Sequence, residues 1–209
     1  ALTTLGFGSG NYNDHLLEQL ADEGNGNYAY IDKLSEAKKV LADELSATLL
    51  TIAKDVKIQI EFNPERVSEY RLIGYENRML NEEDFNNDKV DAGEIGAGHR
   101  VTALYEVSLV GSKGQRLPER RYQSETTVET GNTQLNNELA HLRIRYKLPN
   151  ETESKLIESS LLDKGINARG SESFNFAASV AAFGQKLRGG TYLEDFSYSD
   201  IASLARGSR

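Results

Sequence analysis

The first 31 residues constrain the fold more than any other part of the chain. Residues 2–7 are short, apolar and β-branched, as in a buried strand, and glycines follow them. Residues 15–23 place leucines on one helical face, with Asn13 and Asp14 as candidate N-caps before them. A second short strand follows at residues 28–31. A strand, a helix and a strand within about 30 residues predict a right-handed crossover unit of a parallel sheet.

The hydrophobic pattern changes from helical to strand periodicity near residue 55. A wide apolar stripe predicts a helix over residues 34–53, and the polar stretch 76–98 predicts a long loop with one helical turn near Glu82. Helical spacing returns at residues 174–188 and in a closing helix at 199–206, capped by Ser199 or Asp200. Alternation of apolar and polar residues predicts strands at 56–62, 101–109 and 139–148. Residues 67–75, 122–128 and 155–162 are further candidate strands.

These elements predict an α+β chain with two regions. Residues 1–54 form a β-α-β-α unit, and residues 55–209 form an antiparallel, β-rich, sandwich-like domain that closes with helices. In the strands at 56–62 and 139–148, one face is apolar and predicted to meet the core. The opposite face carries Lys57, Arg145 and Lys147 and is predicted to meet water.

Charge and composition exclude several classes of protein. The net charge is −8, which argues against a nucleic-acid partner, because such proteins need a concentrated basic face. The densest basic cluster, Arg116, Arg120 and Arg121, lies beside glutamates as on an ordinary mixed surface. No apolar run reaches the ~18 residues of a membrane span. The chain has no cysteine, so disulfides, thiolate metal sites and cysteine nucleophiles are excluded.

The turn after the first strand carries Gly6, Gly8 and Gly10 and invites comparison with a dinucleotide-binding loop. Such loops follow a strand, open a helix and place an acidic residue about 20 positions further on, here Asp32. Asn11 stands where the third glycine of that pattern belongs. The alternative interpretation is a flexible turn between a strand and a helix.

Asp84, Asn86 and Asp88 resemble the start of a calcium-binding loop. A complete loop of this type needs a glycine at position 6 and a bidentate glutamate at position 12, whereas this chain has Lys89 and Ile95 there. A solvated acidic loop is the alternative interpretation. The same residues could otherwise bind calcium adventitiously or stabilise the domain through the ion.

The sequence nominates no catalytic residue and no cofactor-binding residue. The histidines His15, His99 and His141 lie in separate elements without metal-ligand spacing, and we interpret each as a surface or hydrogen-bonded residue. Serine-hydrolase, phosphate-loop and zinc-protease motifs are absent from the sequence. Tyrosines on the predicted strands are interpreted as packing residues with hydrogen-bonded hydroxyls.

Several stretches resemble one bacterial protein family. Residues 2–31 resemble the last two strands and the intervening helix of a von Willebrand factor A domain. The motifs at residues 55–64, 71–78, 142–149 and 176–188 resemble the C-terminal domain of unknown function that follows the A domain in one group of bacterial proteins.

The resemblance implies a non-enzymatic module that binds a protein partner or serves as a scaffold, in the bacterial cell envelope or periplasm. In that family the A domain holds Mg²⁺ through a D-x-S-x-S loop and two later loops. No such motif occurs here, so the resemblance implies a metal site outside this chain and no cofactor within it. The chain also begins on a strand without a leader, which suggests a fragment.

The resemblance also predicts that the strand at residues 2–7 has an exposed apolar edge. A second copy of the chain could cover this edge in a homodimer, or the β-rich domain could pack against it. The alternative function is a nucleotide-binding α/β enzyme domain that uses Gly6, Gly8 and Gly10. A thermal-shift screen with nucleotides separates the two functions.

Overall fold

The computed structural model describes residues 2–8, 10, 12–43, 50–75, 79–118, 137–163 and 170–207. It divides into two compact units, each built from three stretches of chain. The first unit comprises Ala1–Glu61, Leu80–Val101 and His141–Ser160, and the second comprises Phe62–Met79, Thr102–Ala140 and Leu161–Arg209. The mixed α+β class agrees with the sequence-based expectation. A von Willebrand A-type unit, a sandwich arrangement and a boundary at 54/55 stay predictions.

The first unit opens with the predicted strand, helix and strand. Strand β1 spans Thr4–Phe7, helix α1 spans Asp14–Glu23 and strand β2 spans Tyr28–Ile31. The side chain of Asn13 caps α1 by accepting a hydrogen bond of 3.1 Å from the backbone N–H of Leu16. β1 and β2 pair in parallel and form a two-stranded sheet. Parallel pairing is therefore confirmed, and within the described residues no strand pairs with the other edge of β1.

The helix predicted over residues 34–53 is shorter than expected. Helix α2 spans Leu34–Lys38 and continues as a π-helix over Lys39–Asp43. Residues 44–49 of the predicted helix lie outside the described part of the chain. The predicted end at residue 53 is wrong, because Thr51 and Ala53 pair with strand β5 as part of strand β3. The β-branched side chains at positions 51 and 52 favour this extended conformation.

A four-stranded sheet has the order β5-β3-β7-β8. Its strands are β3 Thr51–Phe62, β5 Gly93–Gly96, β7 Glu138–Lys147 and β8 Lys155–Leu162. β5 lies inside the stretch 76–98 that was predicted to be only a loop, and this part of the prediction is wrong. Because two of its four residues are glycines, β5 has no alternation of apolar and polar residues that would predict a strand. Its extended conformation results from pairing with β3. The predicted helical turn near Glu82 is confirmed as a 3-10 helix over Glu82–Asn86.

The second unit contains an antiparallel strand pair and two helices. Strand β4 spans Val67–Ile73 and pairs with strand β6 at Leu104–Leu109. Helix α3 spans Glu172–Leu187 and helix α4 spans Tyr198–Arg206, so both predicted helices are confirmed. The predicted strand at 122–128 lies outside the described residues.

The cap predicted for the closing helix is wrong. Ser197, rather than Ser199 or Asp200, is the N-cap of α4. The Ser197 hydroxyl accepts from the backbone N–H of Asp200 at 3.2 Å, and the Asp200 carboxylate accepts from the backbone N–H of Ser197 at 2.8 Å. This reciprocal capping box satisfies two N–H groups that would otherwise lack partners. The hydrogen bonds from Ser197 also lower the pKa of Asp200.

Candidate functional site

The glycine-rich turn after β1 is closed by tyrosine side chains. The ring of Tyr12 lies so close to Gly6 that an added Cβ would approach it to 2.2 Å. The hydroxyl of Tyr30 donates to the carbonyl oxygen of Gly8 at 2.8 Å, and the rings of Tyr12 and Tyr30 are 4.8 Å apart. A phosphate group could reach the backbone at Gly6 only if the Tyr12 ring moved away. The geometry therefore favours a closed turn at this position.

A shallow groove runs beside this turn and has a volume of about 470 Å³. Residues of β1, the turn and α1 line it: Leu5, Gly6, Phe7, Gly10, Tyr12, Asn13, Leu16 and Leu17. At the start of α1, next to this groove, Asp14 accepts hydrogen bonds from the hydroxyls of Tyr12 and Tyr28. Asp32, the acidic residue expected for a dinucleotide site, forms an ion pair of 3.7 Å with Lys33.

Changing Gly6 to alanine should destabilise the first unit, whereas changing Gly10 to alanine should not. A methyl group at position 6 would displace the Tyr12 ring from its contacts with Asp14 and Tyr30, at a cost of about 1–3 kcal/mol. A Cβ at Gly10 would meet no atom within 4 Å, so this variant is the matched control. Urea denaturation measures both free energies of unfolding. Equal values for the two variants would contradict the closed turn.

The candidate calcium loop is held against the main sheet by internal cations. The ammonium group of Lys57 donates to the backbone carbonyl oxygens of Asp84, at 3.1 Å, and Asn87. The ammonium group of Lys147 donates to the carbonyl oxygen of Asp88 and to the carboxylate of Asp55, both at 2.7 Å. Only 4% of Lys57 and 9% of Lys147 are exposed. These two buried cations therefore occupy carbonyl oxygens of the kind that bind calcium.

A third cation engages the side-chain oxygens of the same loop. The guanidinium group of Arg145 donates to the amide oxygen of Asn86 at 3.0 Å and to the carboxylate of Asp88 at 3.5 Å. The other carboxylate oxygen of Asp88 accepts from the backbone N–H of Ser154 at 3.3 Å. Hydrogen bonding by Ser154, with smaller contributions from the charges of Arg145 and Lys147, lowers the pKa of Asp88.

Residues 81–91 therefore form a loop that packs on the polar face of β3 and β7, and we refer to it as the anchored loop. The expectation that Lys57, Arg145 and Lys147 face water is wrong for the two lysines, because this loop buries them. The side chain of Phe85 is also buried under the loop, 5.3 Å from the guanidinium carbon of Arg143. Across the described residues, no group of three or more His, Asp or Glu side chains is arranged to hold a metal ion.

The anchored loop should make the fold sensitive to acid through Asp55. Burial alone would raise the pKa of the Asp55 carboxyl, but the hydrogen bond and charge of Lys147, together with hydrogen bonds from Asp91 and the Ala92 backbone, outweigh burial and lower it. A carboxyl with a lowered folded pKa stabilises the protein above its unfolded pKa of about 3.9, and this stabilisation disappears as the pH falls through the folded value. We expect the free energy of unfolding to fall more steeply below about pH 5 in the wild type than in Lys147→Ala. Urea denaturation across this range checks the expectation, and parallel profiles would refute it.

Three side chains on the exposed surface of β7 and β8 have the residue types of a hydrolytic triad. The imidazole of His141 lies 3.5 Å from the hydroxyl of Ser160 and 3.4 Å from the carboxylate of Glu158. Both contacts are at the limit of hydrogen bonding, and all three side chains are solvent-accessible on a strand surface. Catalysis of this type needs a water-excluding site with aligned donors, so these contacts do not assign an activity.

The second unit has its own polar cluster, centred on Tyr192. The guanidinium carbons of Arg71 and Arg116 lie 4.0 Å and 5.3 Å from the centre of its ring. Arg71 also donates to Glu106 and to Gln185, while Arg116 donates to the carbonyl oxygen of Tyr192 at 2.8 Å. The cluster joins β4, β6 and α3. Arg116, grouped with Arg120 and Arg121 in the sequence, thus has a structural role here, and the other two lie outside the described residues.

Strand β8 and helix α3 expose apolar side chains to solvent. All eight residues of β8 are exposed, although the strand carries leucines and an isoleucine. Among the strands that the structure describes, β8 lies at the edge of its sheet. Helix α3 also exposes most of its large apolar side chains. Exposed apolar side chains on an edge strand and along a helix are typical of a binding surface. None of the described helices is long and apolar enough to cross a membrane.

Comparison with known proteins identifies the family. Residues 47–209 match the family described as Uncharacterized protein YfbK, C-terminal. The chain is 50% identical over 208 residues to Uncharacterized protein YfbK of Escherichia coli (strain K12), with all of the chain and 35% of that protein covered. The chain thus spans about a third of the length of the curated relative that it matches. No solved structure matches the chain. Because the family match covers most of its residues, the chain belongs to the YfbK C-terminal family.

Proposed function

We propose that the chain is a non-enzymatic protein-interaction or scaffolding module of a bacterial von Willebrand A-domain protein. The observation that carries this proposal is the edge strand β8, whose residues are all exposed. An edge strand offers unpaired backbone N–H and C=O groups to another chain, and apolar side chains add affinity. Leu156 and Ile157 supply such side chains on the two faces of β8.

The polar clusters support the same proposal. Lys57, Arg145 and Lys147 use the oxygens of the anchored loop, and Tyr12 covers the turn at Gly6. In the part of the chain that the structure describes, these groups contact the chain's own backbone and side chains and do not converge on a small ligand. An enzyme pocket needs such convergent groups.

Among the described strands only β2 pairs with β1, and this supports a place for β1 within a larger sheet. A parallel sheet is normally covered on both faces and has more than two strands, so β1 and β2 need further partners. We propose that strands elsewhere in a longer protein pair with β1, that the Mg²⁺ site belongs to that A domain, and that the protein acts in the cell envelope. A homodimer through residues 2–7 is the other way to cover this edge.

Site-specific photo-crosslinking tests the interaction surface. A photoreactive residue at Ile157 should give an adduct of discrete mass in cells, whereas the same residue at the exposed turn residue Lys113 should not. Excess unlabelled chain should compete for the adduct, and an excess of the Ile157→Asp chain should not. An adduct pattern that is the same at both positions, or no adduct at Ile157, would contradict the proposal.

The groove beside Gly6 keeps one alternative open, a nucleotide-binding enzyme domain, because it adjoins the start of α1. A thermal-shift screen with ATP and NAD at millimolar concentration tests it. Under our proposal neither nucleotide raises the melting temperature. A nucleotide-dependent increase would favour the alternative.

A further inference from the structure

Helix α3 exposes its large apolar side chains to solvent and buries small side chains instead. Ser179 and Ala182 are buried, at 2% and 8% exposure. Five large apolar side chains of α3 are 46–67% exposed, and four of them lie along one side of the helix, about 100° round from the buried pair: Phe176, Val180, Phe183 and Leu187. A surface helix normally turns its apolar stripe to the core, so this stripe is suited to another surface.

The four exposed residues, here called the α3 seam, have coiled-coil spacing. Their separations of four, three and four residues place them in one line along the helix, as at the a and d positions of a heptad repeat. Gly184 lies next to the seam, and a Cβ at that position would meet no atom within 4 Å. Tyr198 of α4 extends the apolar surface, because its ring packs edge-on at 6.1 Å from the ring of Phe183.

The seam is complementary to itself when two copies run antiparallel. A two-fold axis between Val180 and Phe183 pairs these two residues with each other and pairs Phe176 with Leu187, so that an aromatic ring meets an aliphatic side chain at each level. The first turn of α3 carries Glu172 and its last turn carries Lys186. Antiparallel packing brings ends of opposite charge and opposite helix dipole together, whereas parallel packing brings like charges together.

The area is also sufficient for a symmetric interface. With aromatic side chains of about 200 Å², the exposed parts of the α3 seam and Tyr198 amount to about 500 Å² per chain. Two copies would therefore bury about 1,000 Å², the lower limit for a specific protein interface. Isologous pairs of this kind are the commonest form of homo-oligomer.

We propose that the α3 seam is a homodimer interface and that a second copy of this chain, packed antiparallel, is its partner. This inference does not depend on the proposed role of β8 and is separate from pairing at the edge of β1. It predicts a moderately stable dimer whose formation leaves the rest of each chain unchanged.

Sedimentation equilibrium on the full chain tests the dimer. At 100 μM or more, the wild type should have twice its 23.2 kDa mass, and Gly184→Glu should have the monomer mass. A side chain at position 184 has free space within the monomer and raises helix propensity, so this variant should fold. At concentrations low enough for both proteins to be monomeric, its melting temperature should be unchanged or higher than that of the wild type. Lys113→Glu, in an exposed turn, controls for added negative charge and should stay dimeric.

Two results would overturn the proposal. A monomeric wild type would show that the seam has another partner, such as a segment of a longer protein or a lipid surface. A Gly184→Glu chain that stays dimeric would place the contact elsewhere, for example at the edge of β1, and Phe7→Asp would then abolish it.

Single cysteines test the orientation, because the chain has no cysteine of its own. In the antiparallel dimer, two copies of residue 180 are about 5 Å apart along the helix axis and two copies of residue 187 are about 16 Å apart. A short bifunctional maleimide should therefore join Val180→Cys chains to each other but not Leu187→Cys chains. A mixture of Phe176→Cys and Leu187→Cys chains should form crosslinked pairs. Efficient joining of Leu187→Cys alone would contradict antiparallel packing.

Discussion

Replacing Phe85 by alanine is expected to lower the free energy of unfolding by about 3–5 kcal/mol. Phe85 is 4% exposed and is the most buried aromatic side chain among the core residues described for the first unit. Truncation removes the free energy gained by burying the ring and leaves a cavity beneath the anchored loop. We expect Arg143 and the backbone of the 3-10 helix to fill this cavity only in part. Urea denaturation followed by circular dichroism measures the loss.

The control for this substitution is Phe7→Ala. Phe7 is 62% exposed, so the same chemical change should cost less than about 1 kcal/mol. If the two variants lost similar free energy, Phe85 would not be a core residue and the anchored loop would not be packed on the sheet.

Replacing Lys147 by alanine is expected to cost about 3 kcal/mol. Its ammonium group joins the carboxylate of Asp55 on β3 to the carbonyl oxygen of Asp88 in the anchored loop. Removing it leaves a largely buried carboxylate without its cation and a carbonyl oxygen without its donor. Asp55 also has a left-handed backbone, with φ of 49°, at an irregularity of β3, so its position depends on such contacts.

Lys155→Ala is the matched control for the Lys147 variant. Lys155 pairs with Glu151 at 3.0 Å, but about half of each side chain is exposed. Solvent screens such a pair, and its loss should cost less than about 1 kcal/mol. Equal effects of the two substitutions, measured by urea denaturation at pH 7, would show that the buried cation does not hold the loop.

Patterns in the sequence predict the helices and strands whose caps and apolar faces are determined by nearby residues. The cap at Asn13, the leucine stripe of α1 and the two short strands beside it predict the opening unit, and strand β8 has the predicted bounds. The helix predicted to residue 53 ends earlier because pairing with β5 determines the conformation at Thr51. The apolar spacing of residues 34–53 does not reveal that a strand more than 40 residues away pairs with Thr51.

The anchored loop and its contacts were less predictable, because a segment distant in the sequence covers the polar face of β3 and β7. Alternation along β3 and β7 places Lys57 and Lys147 opposite the apolar face, and such residues ordinarily meet water. The anchored loop, about 30 residues after Lys57 and 60 before Lys147, buries them instead. Its acidic residues resemble the start of a calcium-binding loop, whereas in the structure lysine and arginine side chains of the same chain contact its carbonyl oxygens and the carboxylate of Asp88.

Titration of the chain with Ca²⁺ in an isothermal calorimeter tests most directly whether internal cations, rather than a bound metal ion, contact the oxygens of the anchored loop. We expect no binding heat at Ca²⁺ concentrations up to the millimolar range and no change in melting temperature, in the wild type and in Asp84→Asn alike. Saturable binding to the wild type that Asp84→Asn or Asp88→Asn abolishes would contradict this expectation, because the loop would then hold an ion rather than Lys57, Arg145 and Lys147.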